Sequence, residues 1–369
     1  MRTTGNLKKV LFTVTGILAV VVVTASLAEG LVRIRHWMKY GGMWSVEQTF
    51  NLDPATGLRV PTPKQVIGNI RINSLGFRSP EIDPLKPPST IRLAFLGSST
   101  TYCGEVSSNE MTWPHLVWET LQRASPEAKF DYVNAAVPGY GVARDVQNLH
   151  LRVKPLEPDV IVIYEAANDL SFDSYDLARS QGLVVDVRSL ERTWLSRHSL
   201  AWFLIGKNLV ALRLVVKTRS GSGKLRFNPW ELSRGFERRL LELVEASQKV
   251  ASVVALATFS TRVSREQSAE EQARAALGAL YYMPHMSIEG LIAGYEEYNR
   301  VIREVARQTG AILIDGETRI PADGMHYTDT VHFTDTGSKV MAERVSRALL
   351  AAPAVKELVR ARVASAAGK

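Results

Sequence analysis

Cysteine is nearly absent from this 369-residue chain: Cys103 stands alone, so no intrachain disulfide can form. An oxidising compartment is permitted by that absence without being indicated. Nucleic-acid signatures are missing as well. No zinc-finger spacing occurs, and the basic residues are scattered along the chain. Ser220-Gly221-Ser222-Gly223-Lys224 fails as a phosphate loop, because Leu225 stands where Ser or Thr must follow Gly-Lys. No internal repeat is evident. Acidic residues are the scarcer charge, 37 against 45 basic, giving a formal net charge of +8. That balance suits an anionic lipid surface or an acidic polysaccharide, and nucleic acid is not expected as a partner. With 46% hydrophobic and 22% charged residues, the composition is that of a globular domain carrying appendages.

The conspicuous apolar run lies near the N terminus. Val10 to Ala28 carries no charge, and its length just reaches the roughly 20 residues a helix needs to span a bilayer. Arg2, Lys8 and Lys9 precede it and favour a cytoplasmic N terminus, a bias that Arg33 and Arg35 weaken. The expectation is a retained signal anchor, with the rest of the chain on the periplasmic or extracellular side. The alternative is a cleaved signal peptide and a secreted protein, since Ser26-Leu27-Ala28 places small residues ahead of Glu29. Residues 1–28 are therefore assigned to a cytoplasmic tip and membrane segment. Residues 29–90 are assigned to a juxtamembrane linker and a small β-rich lead-in, dense in turn formers such as Asp53-Pro54, Thr56-Gly57 and Pro87-Pro88.

From Ile91 onward, strand-like and helix-like stretches alternate. Ile91–Leu96, Phe130–Asn134, Val160–Tyr164, Val253–Thr258 and Ala311–Asp315 read as strands. Thr112–Arg123, Arg144–Val153, Trp230–Val250, Ile288–Thr309 and Asp335–Leu350 read as helices, the last with Asp335 as candidate N-cap. Such alternation predicts an α/β fold: three α/β/α layers around a mostly parallel sheet, plus the N-terminal membrane helix. The domain spans 91–350 with an insert at 170–235, and 351–369 is a tail read as a short exposed helix or a frayed end. Within the insert, Ser199–Val216 is apolar but holds Lys207, Asn208 and Arg213. A cap helix over the active site is the preferred reading there, and an interfacial helix on the membrane is the alternative.

Ligands of such sheets bind at the carboxyl ends of the strands, and chemistry-bearing residues are placed there. Gly97-Ser98-Ser99-Thr100 follows the first strand, and Asn134 to Gly139 follows the second. Ala166-Ala167-Asn168-Asp169 follows the third, and Asp329-Thr330-Val331-His332 precedes the last long helix. In this order the blocks resemble the SGNH (GDSL-type) serine hydrolases, over roughly residues 90 to 350. The resemblance implies Ser99 as nucleophile, with Asp329 and His332 completing a catalytic triad. It also implies an oxyanion hole built from the Ser99 and Gly139 backbone N–H groups and the Asn168 side-chain amide. The chain departs from the pattern twice. Ser98 stands where the family has Asp, and Ala166 where it has the Gly of Gly-x-Asn-Asp. Neither change removes a catalytic group, and both bear on the shape of their turns. Asn73-Ser74-Leu75-Gly76-Phe77-Arg78 is also similar to a stretch in membrane-linked relatives, and no role for it is legible.

The chemistry needs those residue types. A serine hydroxyl is a weak nucleophile until a base takes its proton, and His332 is the candidate base. A carboxylate against the other ring nitrogen fixes the tautomer, which is the role open to Asp329. Donors prepositioned for the oxyanion are worth about 10²–10³ in rate apiece. Asp323-Gly324-Met325-His326 is a rival pair with the same spacing. Asp329 and His332 are preferred because Phe333 to Gly337 leads directly into a helix, as in the family. Asp323, His326, Asp329 and His332 together also suggest a metal site, but spacing alone does not supply convergent geometry. No metal and no cofactor are assigned. Cys103 is read as a small packing residue.

The function expected is ester hydrolysis through an acyl-enzyme, acting on O-acyl esters of glycans, O-acetyl among them, or on lipid or small esters. Two alternatives stand beside it: an acyltransferase acting on cell-surface glycan, and a catalytically silent glycan-binding or scaffold protein. The partners expected are an ester substrate, acylated polysaccharide or lipid, and the membrane through the N-terminal helix.

Overall fold

The computed structural model describes residues 3–40, 49–183, 194–206, 209 and 224–367. They divide between two compact units, one within 1–44 and 186–213, the other within 45–185 and 214–369.

The first unit is dominated by helix α1 (Thr3–Tyr40). Its stretch Phe12–Met38, 27 residues, is long and apolar enough to cross a membrane, and no part of it is buried by other protein. No proline interrupts 29–40, so the helix continues through residues expected to form a linker. Glu29, one residue past the apolar run, accepts hydrogen bonds from Ser199 Oγ (2.7 Å), Leu200 N (3.0 Å) and Ala201 N (2.9 Å). It thereby satisfies the orphan N–H groups at the start of helical residues 200–206. Half of the expected cap helix Ser199–Val216, and the loop over 220–223, lie outside the described residues.

The second unit begins with two short antiparallel ladders. They pair β1 (Phe50–Leu52) with β2 (Arg59–Pro61), and β3 (Val66–Ile67) with β4 (Ile70–Arg71). A five-stranded sheet follows: β5 (Thr90–Gly97), β6 (Lys129–Asn134), β7 (Val160–Tyr164), β8 (Val253–Ala257) and β9 (Ile312–Ile314), in the order β6-β5-β7-β8-β9. Every pairing is parallel. Residues of β5, β7 and β8 are buried throughout, as continuous apolar runs covered on both faces require. The chain steps from β5 out to β6, then crosses back to β7. The order thus reverses about β5, and a crevice opens at the carboxyl ends of these strands.

The helices are α2 (Ser99–Tyr102), α3 (Trp113–Ala124), α4 (Val142–Asn148), α5 (Ala167–Ser180), α6 (Pro229–Gln248), α7 (Ala269–Tyr282), α8 (Ile288–Thr309), α9 (Asp335–Ala351) and α10 (Pro353–Ala367). Helices α4, α5, α6 and α8 pack together on one side of the sheet, and α3, α9 and α10 on the other. The three-layer arrangement is the one expected.

Local departures have local causes. The helix expected over 144–153 breaks at Asn148, whose side chain donates to the Ala135 carbonyl; one π turn, Leu149–Val153, follows. Thr334, not Asp335, caps α9, its hydroxyl accepting from Gly337 N. Asp335 is engaged elsewhere, accepting from the backbone N–H and hydroxyl of Ser107. The tail is an ordered helix: Val355 is buried, Leu358 and Val363 pack on the core, and Arg362 pairs with Asp159.

Candidate active site

The nucleophile turn is set by a close approach. Gly97 ends β5 with φ +155, and a Cβ there would sit 2.7 Å from the Tyr164 carbonyl oxygen of β7 and 2.3 Å from Thr101 Oγ1. Only glycine lets β5 lie against β7 and then turn into α2. Ser98 is buried, and Ser99 opens α2 half-buried. At the other end of α2, Cys103 adopts a left-handed conformation (φ 59). Its thiol is buried, and burial pushes it up to about 12, so it stays protonated and is no rival nucleophile.

Arg78 holds this short helix from below. It is fully buried and donates to the carbonyls of Tyr102 (3.0 Å) and Cys103, and to Asn109 Oδ1 (2.9 Å). Asn73 delivers it, its Oδ1 accepting from Leu75 N (3.0 Å) and Phe77 N (2.9 Å) in a side-chain-closed turn. The stretch 73–78, with no role legible in sequence, thus buttresses the serine turn. Asn134, at the end of β6, adds a bond from Nδ2 to the Thr101 carbonyl (2.9 Å).

Beyond β6, Gly139 is exposed at φ +86, with open space where a Cβ would stand. Beyond β7, Asn168 donates from Nδ2 to the Tyr140 carbonyl (2.5 Å), and Asp169 accepts from Val142 N (2.9 Å). The two loops are therefore tied to each other. The Asn168 amide carries a second N–H beyond the one so used, and Ser99 N belongs to the first turn of a helix, where N–H groups lack intrahelical acceptors.

The last block folds back on itself. Tyr327 pairs with Phe333 as an antiparallel bridge, and Thr328 N donates to the His332 carbonyl (2.9 Å). Thr330 pins the loop to α7, donating to the Ala275 carbonyl (2.6 Å) and accepting from Ala279 N (3.0 Å). The result is a chain of contacts from acid to hydroxyl. Asp329 Oδ2 lies 2.8 Å from His332 Nδ1, and His332 Nε2 lies 2.8 Å from Ser99 Oγ. Asp329 Oδ1 also accepts from Val331 N (2.9 Å) and His332 N (3.0 Å). Burial opposes charge on this carboxyl, but the His332 ring and these N–H groups outweigh it and hold it at about 2.

The rival pair is a real pair, with His326 Nδ1 2.8 Å from Asp323 Oδ1. It is His332 that meets Ser99. The four residues resolve into two separate acid–imidazole pairs, and among the described residues no metal-holding group of three or more assembles. Arg78 and Thr330 are the supports that sequence reading missed. An Asn-Ser-Leu-Gly-Phe turn with an arginine at its end, and a threonine inside Asp-x-x-His, carried no distinguishing signal.

The GDSL-like lipase/acylhydrolase family profile matches residues 95–340. No curated protein matches the chain. Among solved structures, the chain is similar to the acetylxylan esterase Axe2 from Geobacillus stearothermophilus, at 17% identity and TM-score 0.44, covering 72% of this chain and 96% of that one. It is similar to LAE5, an α/β hydrolase enzyme from the metagenome of Lake Arreo, Spain, at 17% identity and TM-score 0.43, covering 70% and 94%. A putative GDSL-like lipase from Parabacteroides merdae is similar at 14% identity and TM-score 0.41, covering 73% and 98%.

Proposed function

Because this chain belongs to the GDSL-like lipase/acylhydrolase family, and is thereby a hydrolase of ester bonds, we propose that it works through an acyl-enzyme on Ser99, in a domain tethered to a membrane by α1. The observation that carries this reading is the 2.8 Å contact of His332 Nε2 with Ser99 Oγ, backed by Asp329 at Nδ1.

In the proposed cycle, Ser99 Oγ attacks the ester carbonyl carbon while His332 Nε2 takes its proton. The carbonyl oxygen becomes the oxyanion, held by Ser99 N, Gly139 N and the Asn168 amide. The imidazolium is stabilised by Asp329, and its Nε2 proton passes to the leaving alkoxide as the carbon–oxygen bond breaks. Water then attacks the acyl carbon, giving a proton to His332. Collapse releases the carboxylic acid and returns the proton to Ser99. The substrate is an O-acyl ester, with O-acetyl groups on glycan as the class to test first against longer acyl chains.

The test is labelling of the full chain by a fluorophosphonate probe. Wild type and His326→Ala should label, whereas Ser99→Ala and His332→Ala should not. Labelling that survives Ser99→Ala, or is lost in His326→Ala and kept in His332→Ala, overturns the assignment.

A further inference from the structure

Beneath the catalytic turns lies a group of carboxyls the cycle above does not use. Asp145 on α4, Glu165 at the end of β7 and Asp169 on α5 are each 0–2% exposed. Asp169 is accounted for: it accepts from Val142 N and pairs with Arg239 of α6 (3.0 Å), which also pairs with Asp173 (2.8 Å). Asp145 and Glu165 have no ion-pair partner among the described residues. All four of their carboxylate oxygens are buried without a hydrogen-bond donor among the described residues; the two carboxyls neighbour each other, with Ser98 near Glu165 and Asn148 near Asp145. Burial first, and then the neighbouring carboxyls, push both far above the ordinary carboxylate range. Two adjacent buried carboxylates without a cation cannot both hold charge, so at neutral pH the pair retains a proton between them.

The placement of this pair is what matters. Glu165 stands three residues before Asn168 and faces Ser98, the neighbour of Ser99. Asp145 sits in the helix that starts just after Gly139. The pair therefore sits beside the three turns that supply Ser99 N, Gly139 N and the Asn168 amide. We propose that Glu165 and Asp145 are positioning residues, a proton-sharing pair that sets the relative placement of the three oxyanion donors. The proposal rests on the Ser99 reading above and deepens it.

Loss of the shared proton at alkaline pH leaves two like charges in one dry site, which drives the turns apart. The other groups facing the pair are Asn148, Tyr140 ahead of α4, Ser98, and Asp169 with Arg239 and Asp173 behind it. In Glu165→Gln the amide donates to Asp145 and accepts from Ser98, so the link persists without a proton to lose.

The experiment is the pH profile of kcat and KM for 4-nitrophenyl acetate with the full chain. Glu165→Ala should lower kcat about tenfold or more, by analogy with loss of an oxyanion donor, with KM little changed. Glu165→Gln should recover most of that loss and move the alkaline limb of kcat upward by about one pH unit or more. An alkaline limb in Glu165→Gln that superimposes on wild type overturns the proposal, even if Glu165→Ala fails to fold. Ser99→Ala serves as the separate control. Turnover surviving there removes the active-site reading itself, whereas an inert Ser99→Ala with an unmoved limb removes the pair alone.

Discussion

Asp329 keeps its charge in the folded chain far below the pH at which an ordinary aspartate takes up a proton. Its carboxyl is held at about 2 against a usual 3.8. The sign of the linkage follows. The stability tied to this carboxylate is complete above the unfolded value near 3.8 and is lost as pH falls through about 2. Asp329→Asn should therefore flatten the fall in melting temperature between about pH 4 and pH 2, as read by thermal melts across that window. A variant melting curve that drops in parallel with wild type would show that Asp329 has no such role. That Ser99, Asp329 and His332 belong together was legible because the proposed nucleophile, acid and base must be those residue types and the blocks come in a recognisable order. Asp145 and Glu165 were not legible. In a sequence, a buried carboxyl looks like a solvated one, and only the packing of α4 against β5 and α6 removes the water around Asp145. The preference for His332 over His326 rested on the helix that follows it, since both have an aspartate three residues ahead, and it is His332 that meets Ser99 in the fold.

The four-residue helix α2 is too short to be stable by itself, because a first helical turn costs more order than its bond returns. Its position is imposed by Gly97 at one end and Arg78 at the other. Replacing Arg78 by Ala would strip the buried Tyr102 carbonyl of its Arg78 donor and leave the Cys103 carbonyl only the long bond from Val106 N (3.4 Å), at about 1–3 kcal/mol. The expected outcome is a lower unfolding free energy in urea together with slower fluorophosphonate labelling of Ser99. Arg78→Lys should restore part of both. A variant that loses stability but labels at the wild-type rate would show that α2 is positioned by Gly97 alone. At this scale the strands were readable almost to the residue, since β7 and β8 are unbroken apolar runs and β5 is one interrupted only by Arg92, which pairs with Asp131. Helix ends were read less well where side chains choose partners far away in sequence. Asp335 looked like a cap, but Ser107 had claimed it, and Thr334 took the position instead. The two small ladders over residues 50–71 were foreseen only as a β-rich stretch, because turn formers locate chain reversals without saying which strands pair.

For the whole molecule, the open question is whether α1 remains attached to the domain it precedes. A signal peptide would be cut between Ala28 and Glu29. Yet α1 continues unbroken to Tyr40, and Glu29 is bound from within by Ser199, Leu200 and Ala201. A carboxylate that caps another segment, with Arg33 paired to it one turn on, favours the retained anchor over the cleaved signal peptide. The helix also stays largely unburied by protein, and it is long and apolar enough to cross a membrane. The expected mature protein therefore retains α1 and resists extraction from carbonate-washed membranes, as intact mass and N-terminal sequencing would read. Recovery of a chain beginning at Glu29 would establish the signal peptide instead. Orientation follows from the same preparation. Cys103 is buried and is the one cysteine in the chain, so Leu85→Cys, at a position 83% exposed, supplies a single reactive thiol. A membrane-impermeant maleimide should label it in right-side-out vesicles without permeabilisation. Labelling that appears only after the bilayer is breached would place the domain on the cytoplasmic side. That result would leave the ester chemistry untouched, because the contacts among Asp329, His332 and Ser99 lie entirely within the second unit.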